Sequence, residues 1–217
     1  MSYRLDQKLA VEFIGMFIFV FAVGMATEAA NHAGSVLAPI AIGSVLMTMV
    51  FAGGHVSGGH YNPAVSTAVL IRGGITVPEY VAYVVTQLVA AVLAGLLVKS
   101  IGGKQATGTT ASDGKMLVVE LLFTIALAYV VLNVATAKGT AGNSFYGLAI
   151  GFTVLVGAIS VGWISGGAFN PAIALGATVF GAFPWSHIWI YLLADFAGGI
   201  AAAGLFLYIQ GEHARAA

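Results

Sequence analysis

The sequence contains no cysteine and has few charged residues. Of its 217 residues, eight are Lys or Arg and eight are Asp or Glu, so 7% are charged, against about 25% in a typical soluble domain. Without cysteine there is no disulfide framework, no thiolate metal site and no thiol nucleophile. The balanced charge leaves no basic excess, so nucleic acid is not an expected partner.

Apolar residues dominate instead. The chain is 59% hydrophobic and its mean hydropathy is +0.98, which is typical of a membrane protein with several spans. A helix needs about 20 mostly apolar residues to cross a bilayer. Six stretches reach or approach that length: about 9–28, 37–57, 78–99, 116–137, 145–164 and 187–209. We therefore predict an all-α integral membrane protein with six transmembrane helices.

Two further apolar segments, about 62–71 and 170–180, are only half as long as a span. They begin at Asn-Pro within GGHYNPAVS and GGAFNPAIA. Asn is a favoured N-cap and Pro is favoured at the first helical position, so each pair predicts a helix start. Such short helices enter the membrane only where protein or a water-filled cavity satisfies their backbone. We predict two re-entrant half-helices.

The chain is predicted to be an internal repeat. Asn62 and Asn170 are 108 residues apart, and the same offset relates further pairs: Glu12 and Glu120, Gly43 and Gly151, Ser57 and Ser165, Gln87 and Asp195. We interpret residues 1–217 as one domain, with repeat one at about 8–100, a linker at about 101–115 and repeat two at about 116–209. Three spans per repeat place the second copy upside down, as an inverted repeat.

Inversion brings the two half-helix N-termini together near the membrane midplane. Each N-terminus carries about half a positive charge, which repels cations including hydronium. Each Asn caps its own helix through its oxygen, which leaves its NH₂ group free to hold the oxygen of a passing water. This arrangement favours a pore for neutral molecules. Its central residues are Asn62, Pro63, Ala64, Asn170, Pro171 and Ala172.

Lys and Arg residues indicate the orientation. With six spans, both termini lie on one side of the membrane. Five basic residues then share that side, namely Arg4, Lys8, Arg72, Lys138 and Arg215, and three lie opposite, namely Lys99, Lys104 and Lys115. The positive-inside rule therefore favours cytoplasmic termini, and we expect a location in the cell membrane.

The motifs SGGHYNPAV and SGGAFNPAI, together with Glu12 in VEFIG and Glu120 in VELLF, resemble the aquaporins of the major intrinsic protein family. The resemblance extends over roughly residues 8–209. It implies six tilted helices with two half-helices, a passive channel with one pore per subunit, and a homotetramer. It implies no cofactor and no enzymatic activity.

The sequence departs from that family at the filter. Most aquaporins have Arg directly after the second NPA box, where this chain has Ile173, and glycerol-conducting members usually have Asp where it has Ala174. The matching filter positions are Ile42, Ala158, Gly167 and Ile173. A filter this small and apolar indicates a pore for water and other small neutral solutes, such as ammonia, hydrogen peroxide, urea or glycerol. The alternative is an apolar constriction that dewets and conducts slowly.

Several polar residues have two interpretations. Glu12 and Glu120 fit anchors for the backbone N–H groups before each half-helix, whereas the role of Asp195 stays open. His60 near the pore and His55 near its cytoplasmic mouth are either pH-dependent gates or hydrogen-bonded structural residues. No His, Asp or Glu cluster has metal-ligand spacing, and no nucleophile is paired with a base.

Two other functions remain open. Inverted repeats with broken helices also form coupled secondary transporters, in which Glu12, Glu120 or Asp195 would titrate. No basic residue lies mid-span to pair with these acids, which argues against this alternative. The other alternative is a structural membrane protein that keeps the fold but seals the pore.

Overall fold

The computed structural model describes residues 3–33, 37–102 and 111–211. They form eight α-helices and no strand: α1 Leu5–Ala33, α2 Ala38–Ser57, α3 Pro63–Arg72, α4 Val77–Gly102, α5 Asp113–Val131, α6 Tyr146–Ser165, α7 Pro171–Phe180 and α8 Ile188–Gln210. Six are long and apolar enough to cross a membrane, while α3 and α7 have ten residues each. The predicted six spans and two half-helices are confirmed.

The helix ends differ from the predicted bounds. Helix α1 begins at Leu5 and ends at Ala33, beyond the predicted 9–28, because polar residues at its ends are compatible with a helix although they are not apolar. Helix α5 ends at Val131 and continues as a π-helical turn, Leu132–Thr136. Most of the predicted linker, residues 103–110, lies outside the described residues, as do Lys104 and Arg215.

The two half-helices begin as the Asn-Pro pairs predict. Asn62 has an extended backbone with φ −163°, and its side chain accepts hydrogen bonds from the N–H groups of Ala64 and Val65. Asn170 has φ −164° and caps α7 in the same way. Since Pro follows each cap and has no N–H to satisfy, the first turn is complete without water. The predicted capping is confirmed.

The repeats interlock through the half-helices. Helix α3 of repeat one packs on α8, and α7 of repeat two packs on α4. Between the repeats, α2 also packs along α6. A Cβ atom on Gly43 of α2 would lie only 2.7 Å from the backbone oxygen of Gly151 on α6. Glycine therefore allows these two helices to approach closely, which fixes the distance between the repeats.

Helix α8 offers a matched test of this close packing. A Cβ atom on Gly199 would collide with the backbone oxygen of Ala64, whereas one on Gly204 would have no neighbour within 4 Å. We expect Gly199→Ala to lower the thermal midpoint in detergent, since overpacking costs about 1–3 kcal/mol. Gly204→Ala is the control and should leave the midpoint unchanged or raise it. Equal midpoints for the two variants would contradict the interlocked packing.

Candidate functional site

The loop before α3 is fastened to a buried acid on α1. Glu12 is completely buried. One of its carboxylate oxygens accepts from the Ser57 hydroxyl at 2.7 Å and from the His60 N–H at 2.9 Å. The other accepts from the Tyr61 N–H and from the Gln87 amide, both at 2.8 Å. All four donors would otherwise be buried without a partner.

In repeat two, Glu120 makes the equivalent hydrogen bonds to the loop before α7. This acid is also completely buried. It accepts from the Ser165 hydroxyl and from the N–H groups of Ala168 at 3.1 Å and Phe169 at 2.7 Å. Each acid thus holds the backbone that precedes a half-helix, in the manner that the sequence predicts.

Both loops contain one residue in a strained conformation. Tyr61 has φ 44° and Phe169 has φ 48°, in the left-handed region where a bulky side chain costs about 1–3 kcal/mol. The carbonyl groups of these two residues face the opposite repeat. Asn62 Nδ2 donates to the Phe169 oxygen at 2.9 Å, and Asn170 Nδ2 donates to the Tyr61 oxygen at 2.8 Å.

These crossed bonds correct one expectation from the sequence. The sequence predicts that the NH₂ groups of Asn62 and Asn170 are free to bind a solute. This prediction is wrong for one of the two N–H groups of each side chain. A carboxamide nitrogen has two donors, and the opposite loop takes one of them. The second N–H of each Asn has no protein acceptor within the part of the chain that the structure describes. The centre of the molecule therefore offers two N–H donors, one from each repeat.

Two cavities lie beside the loops that precede the half-helices, one next to His60 and the other next to Ala168. The near cavity, on the side of the N-terminus, has a volume of about 430 Å³, and its lining includes Lys8, His55, His60, Arg72 and Tyr83. The far cavity has a volume of about 310 Å³, and its lining includes Ile42, Val154, Gly167, Ile173 and Tyr191. A third cavity of about 440 Å³ adjoins the near one and shares Gly54, His55 and Gly58 with it.

The structure brings three of the four predicted filter residues to the far cavity, namely Ile42, Gly167 and Ile173. Ala158 is not part of its lining, although a Cβ atom on Gly167 would lie 3.5 Å from the Ala158 Cα. Val154, one helical turn before Ala158, lines the cavity instead.

Sequence reasoning missed the aromatic part of this lining. The lining of the far cavity also includes five aromatic residues from α1, α6, α7, the α7–α8 connection and α8, namely Phe19, Trp163, Phe180, Phe183 and Tyr191. The Phe183 and Tyr191 rings stack with centroids 4.8 Å apart. One signal was present, because Tyr191 is 108 residues after Tyr83 and the hydroxyls donate to the equivalent carbonyls of Ser165 and Ser57.

The near cavity differs from the far cavity in charge. His60 is buried; its Nδ1 is hydrogen bonded to the Ser66 hydroxyl at 3.0 Å and its ring meets Tyr83 edge-on at 5.1 Å. The Arg72 guanidinium donates to the Thr136 carbonyl. Lys8 pairs with Glu79 at 3.0 Å. The lining of the far cavity contains no Lys, Arg, Asp or Glu.

Metal binding finds no support in the described ranges. Among residues 3–33, 37–102 and 111–211, no three His, Asp or Glu side chains come together as a metal site would require. The site thus combines two amide donors with a cavity beside each of the loops that precede α3 and α7.

Comparison with known proteins gives a consistent result. Residues 2–208 match the family model described as "Major intrinsic protein". The chain is 34% identical to "Aquaporin NIP1-4" of Oryza sativa over 96% of its length and 78% of that protein. It is 35% identical to "Glycerol uptake facilitator protein-like 6" of Lactiplantibacillus plantarum, over 91% of its length and 95% of that protein.

A solved structure agrees at the level of the fold. The aquaglyceroporin from Plasmodium falciparum superposes with a TM-score of 0.78 at 20% sequence identity, covering 94% of this chain and 96% of that one. A further relative, "Nodulin-26" of Glycine max, is 38% identical over 94% of this chain and 78% of that protein.

Proposed function

Because this chain belongs to the major intrinsic protein family, we propose that its pore runs from the near cavity through the Asn62–Asn170 pair to the far cavity. The chain is an integral membrane protein and a passive channel for water and small neutral solutes. The observation that supports this route is the crossed pair of amides, which leaves one N–H of each Asn unpaired between the two cavities.

The Asn pair controls what passes. A water molecule at the pair accepts both N–H bonds through its oxygen, so its two hydrogens point along the pore axis, away from the pair. It has no lone pair left with which to accept a proton from a neighbouring water. The N-termini of α3 and α7 add about half a positive charge each, so hydronium and metal cations meet an electrostatic barrier at the same place.

The far cavity sets the solute range. Ile173 supplies no charge and no hydrogen-bond donor at the position where most aquaporins have Arg, and the surrounding side chains are aliphatic and aromatic except for Thr27 and Ser165. A small polyol or urea fits such a lining because its apolar face contacts the rings while its polar groups meet the backbone of the glycine-rich loop. A relative from Lactiplantibacillus plantarum is named as a glycerol facilitator, and we extend glycerol to this chain.

The near cavity contains basic side chains that repel cations, whereas the far cavity has no charged lining residue. Arg72 and Lys8 line the near cavity, and because Lys8 is paired with Glu79, the positive charge that acts at this mouth is mainly that of Arg72. Positive charge at one mouth lowers the local concentration of cations before they reach the Asn pair. We assign part of the charge selectivity to this mouth, since the far end lacks the usual Arg.

The decisive variant is Ile173→Arg. We expect it to leave water permeability within about twofold, because water needs little space, and to abolish glycerol and urea entry, because the long side chain fills the far cavity. The measurement is stopped-flow light scattering on proteoliposomes, first with an impermeant osmolyte and then with glycerol or urea. Ile173→Leu is the control, since it conserves volume without adding charge, and it should behave as the native chain.

Each outcome of this assay has a distinct meaning. Water flux without solute entry in the native protein would overturn the wide filter and leave a water channel. Flux that saturates with solute and follows a pH gradient would favour a coupled transporter. The absence of flux above that of empty liposomes would favour a sealed structural protein.

Assembly and placement complete the proposal. We propose a single domain of two repeats, a homotetramer with one pore in each subunit, and a location in the cell membrane with cytoplasmic termini. The basic residues Arg4, Lys8 and Arg72 on the side of the N-terminus support that orientation. Native mass spectrometry of the detergent-solubilised channel tests the tetramer, and protease accessibility of the termini in intact cells tests the orientation.

A further inference from the structure

Asp195 breaks the symmetry of the repeat at a buried position. Repeat one has Gln87 at the equivalent place, and its amide donates to Glu12 at 2.8 Å. Repeat two has a carboxyl group there, and it lies beside Glu120, because its Oδ1 accepts a hydrogen bond from Thr124, one helical turn after Glu120 on α5. Both Asp195 and Glu120 are completely buried. An amide that can donate is thus replaced by an acid that can donate only if it carries a proton.

The oxygens of Asp195 have different surroundings. Oδ1 accepts from the Thr124 hydroxyl at 3.0 Å. Oδ2 is buried and has no hydrogen-bond partner in the described part of the chain. An ionised carboxylate would leave a buried, charged oxygen without a donor, which protein structures rarely tolerate.

No cation compensates the two acids. The titratable groups that face Asp195 are Glu120 on α5 and Tyr191 on α8 itself. The Tyr191 hydroxyl is directed to the Ser165 carbonyl. No Lys, Arg or His of the described residues is hydrogen bonded or ion-paired to Asp195 or Glu120. Two adjacent carboxylates in a buried site without a counter-ion cannot both stay ionised.

We propose that Asp195 is a positioning residue that holds a proton on Oδ2 and donates it in a hydrogen bond to Glu120. The pair then carries one negative charge. Glu120 remains a carboxylate and keeps its bonds to Ser165, Ala168 and Phe169. The proton thus allows Asp195 to donate a hydrogen bond to Glu120 in the second repeat, as the Gln87 amide donates to Glu12 in the first. This inference deepens the proposed function, since it concerns the loop that presents Asn170.

The proton makes the second loop sensitive to alkali. When hydroxide removes it, water forms and two adjacent carboxylates remain in a site without a counter-ion. Their repulsion displaces Glu120 from the loop, so the Ala168 and Phe169 N–H groups just before Asn170 lose their acceptor. The first loop has no such proton to lose, because Gln87 donates at every pH.

Infrared difference spectroscopy on the intact channel in lipid bilayers tests the proton directly. We expect the native protein at pH 7 to show the carbonyl stretch of one protonated carboxylic acid, which Asp195→Asn removes. Gln87→Glu is the matched variant in repeat one, and it should create a second such band because it recreates the pair around Glu12. A native spectrum identical in this region to that of Asp195→Asn would overturn the proposal.

Thermal unfolding against pH gives a second measurement. The folded native state keeps a proton that unfolded Asp releases above about pH 4, so its stability falls as pH rises, by up to about tenfold in the folding equilibrium per pH unit. Asp195→Asn lacks this proton, so its midpoint should exceed the native one by a margin that grows between pH 5 and 8. Parallel curves would contradict the assignment. Because neither measurement uses flux, a proton pair in a non-conducting protein would overturn only the proposed route.

Discussion

Glu12→Ala is expected to prevent this protein from folding as a stable channel. The side chain accepts four hydrogen bonds at one buried point, from Ser57, His60, Tyr61 and Gln87. Alanine leaves four donors without a partner, and each unsatisfied group costs about 1–3 kcal/mol. Their sum approaches the whole stability of a typical protein, about 5–15 kcal/mol. The loop before α3 would then have nothing to hold its strained Tyr61 conformation.

The measurement is the yield and thermal midpoint of the detergent-solubilised protein by size-exclusion chromatography. Glu79→Gln serves as the control, because Glu79 is also an acid with several partners but lies half-buried at the near mouth. It pairs with Lys8 at 3.0 Å and caps α4 through Thr76, and the loss of such a contact costs about 1 kcal/mol. A Glu12→Ala protein with native yield and midpoint would show that the acid does not anchor the loop.

The sequence predicts the parts of this fold that depend on residues close to one another in the chain. Six long apolar runs give six crossing helices, because the bilayer fixes the length of a span. The pairs Asn62-Pro63 and Asn170-Pro171 start α3 and α7 because capping depends only on residues next to each other. The repeat is visible because polar residues such as Glu12 and Glu120 recur at the same offset.

The contacts at the centre of the site join residues far apart in the chain, so they could not be predicted from the sequence. The amide of Asn62 reaches the Phe169 carbonyl, 107 residues away, only because Phe169 adopts a left-handed conformation. Aromatic residues avoid that region in general, so no rule read from the sequence places one there. The far cavity is similar, because Phe19, Phe183 and Tyr191 come from distant elements that meet only in the folded chain.

The two repeats have the same backbone fold but different side chains around the Asn pair. At positions 108 residues apart, repeat one has His60 and Ser66, which bond to each other at 3.0 Å, while repeat two has Ala168 and Ala174. The near side of the Asn pair is therefore polar and basic, and the far side is apolar. The symmetry of the fold fixes where the two half-helices meet. The differences in sequence between the repeats make the two ends of the proposed pore chemically different.

Asn170→Asp is expected to lower water permeability at least tenfold and to open a leak for protons. The aspartate still caps α7 through one oxygen, because Asp is as good an N-cap as Asn. Its second oxygen now faces the Tyr61 carbonyl, to which the native amide donates at 2.8 Å. Two acceptors in contact repel, and a bond worth about 1–3 kcal/mol is lost. The new negative charge also cancels the positive end of the α7 dipole.

Stopped-flow scattering gives the water permeability, and a pH-sensitive dye inside the same proteoliposomes gives the proton flux. Asn62→Asp is the symmetry-related variant and should behave alike, since Asn62 makes the equivalent bond to Phe169. Asn31→Asp adds the same charge at an exposed position near the end of α1, so it should change neither flux. If Asn170→Asp matched Asn31→Asp in both assays, the amide pair would not be the barrier to protons, and the basic near cavity around Arg72 would have to exclude them by charge alone.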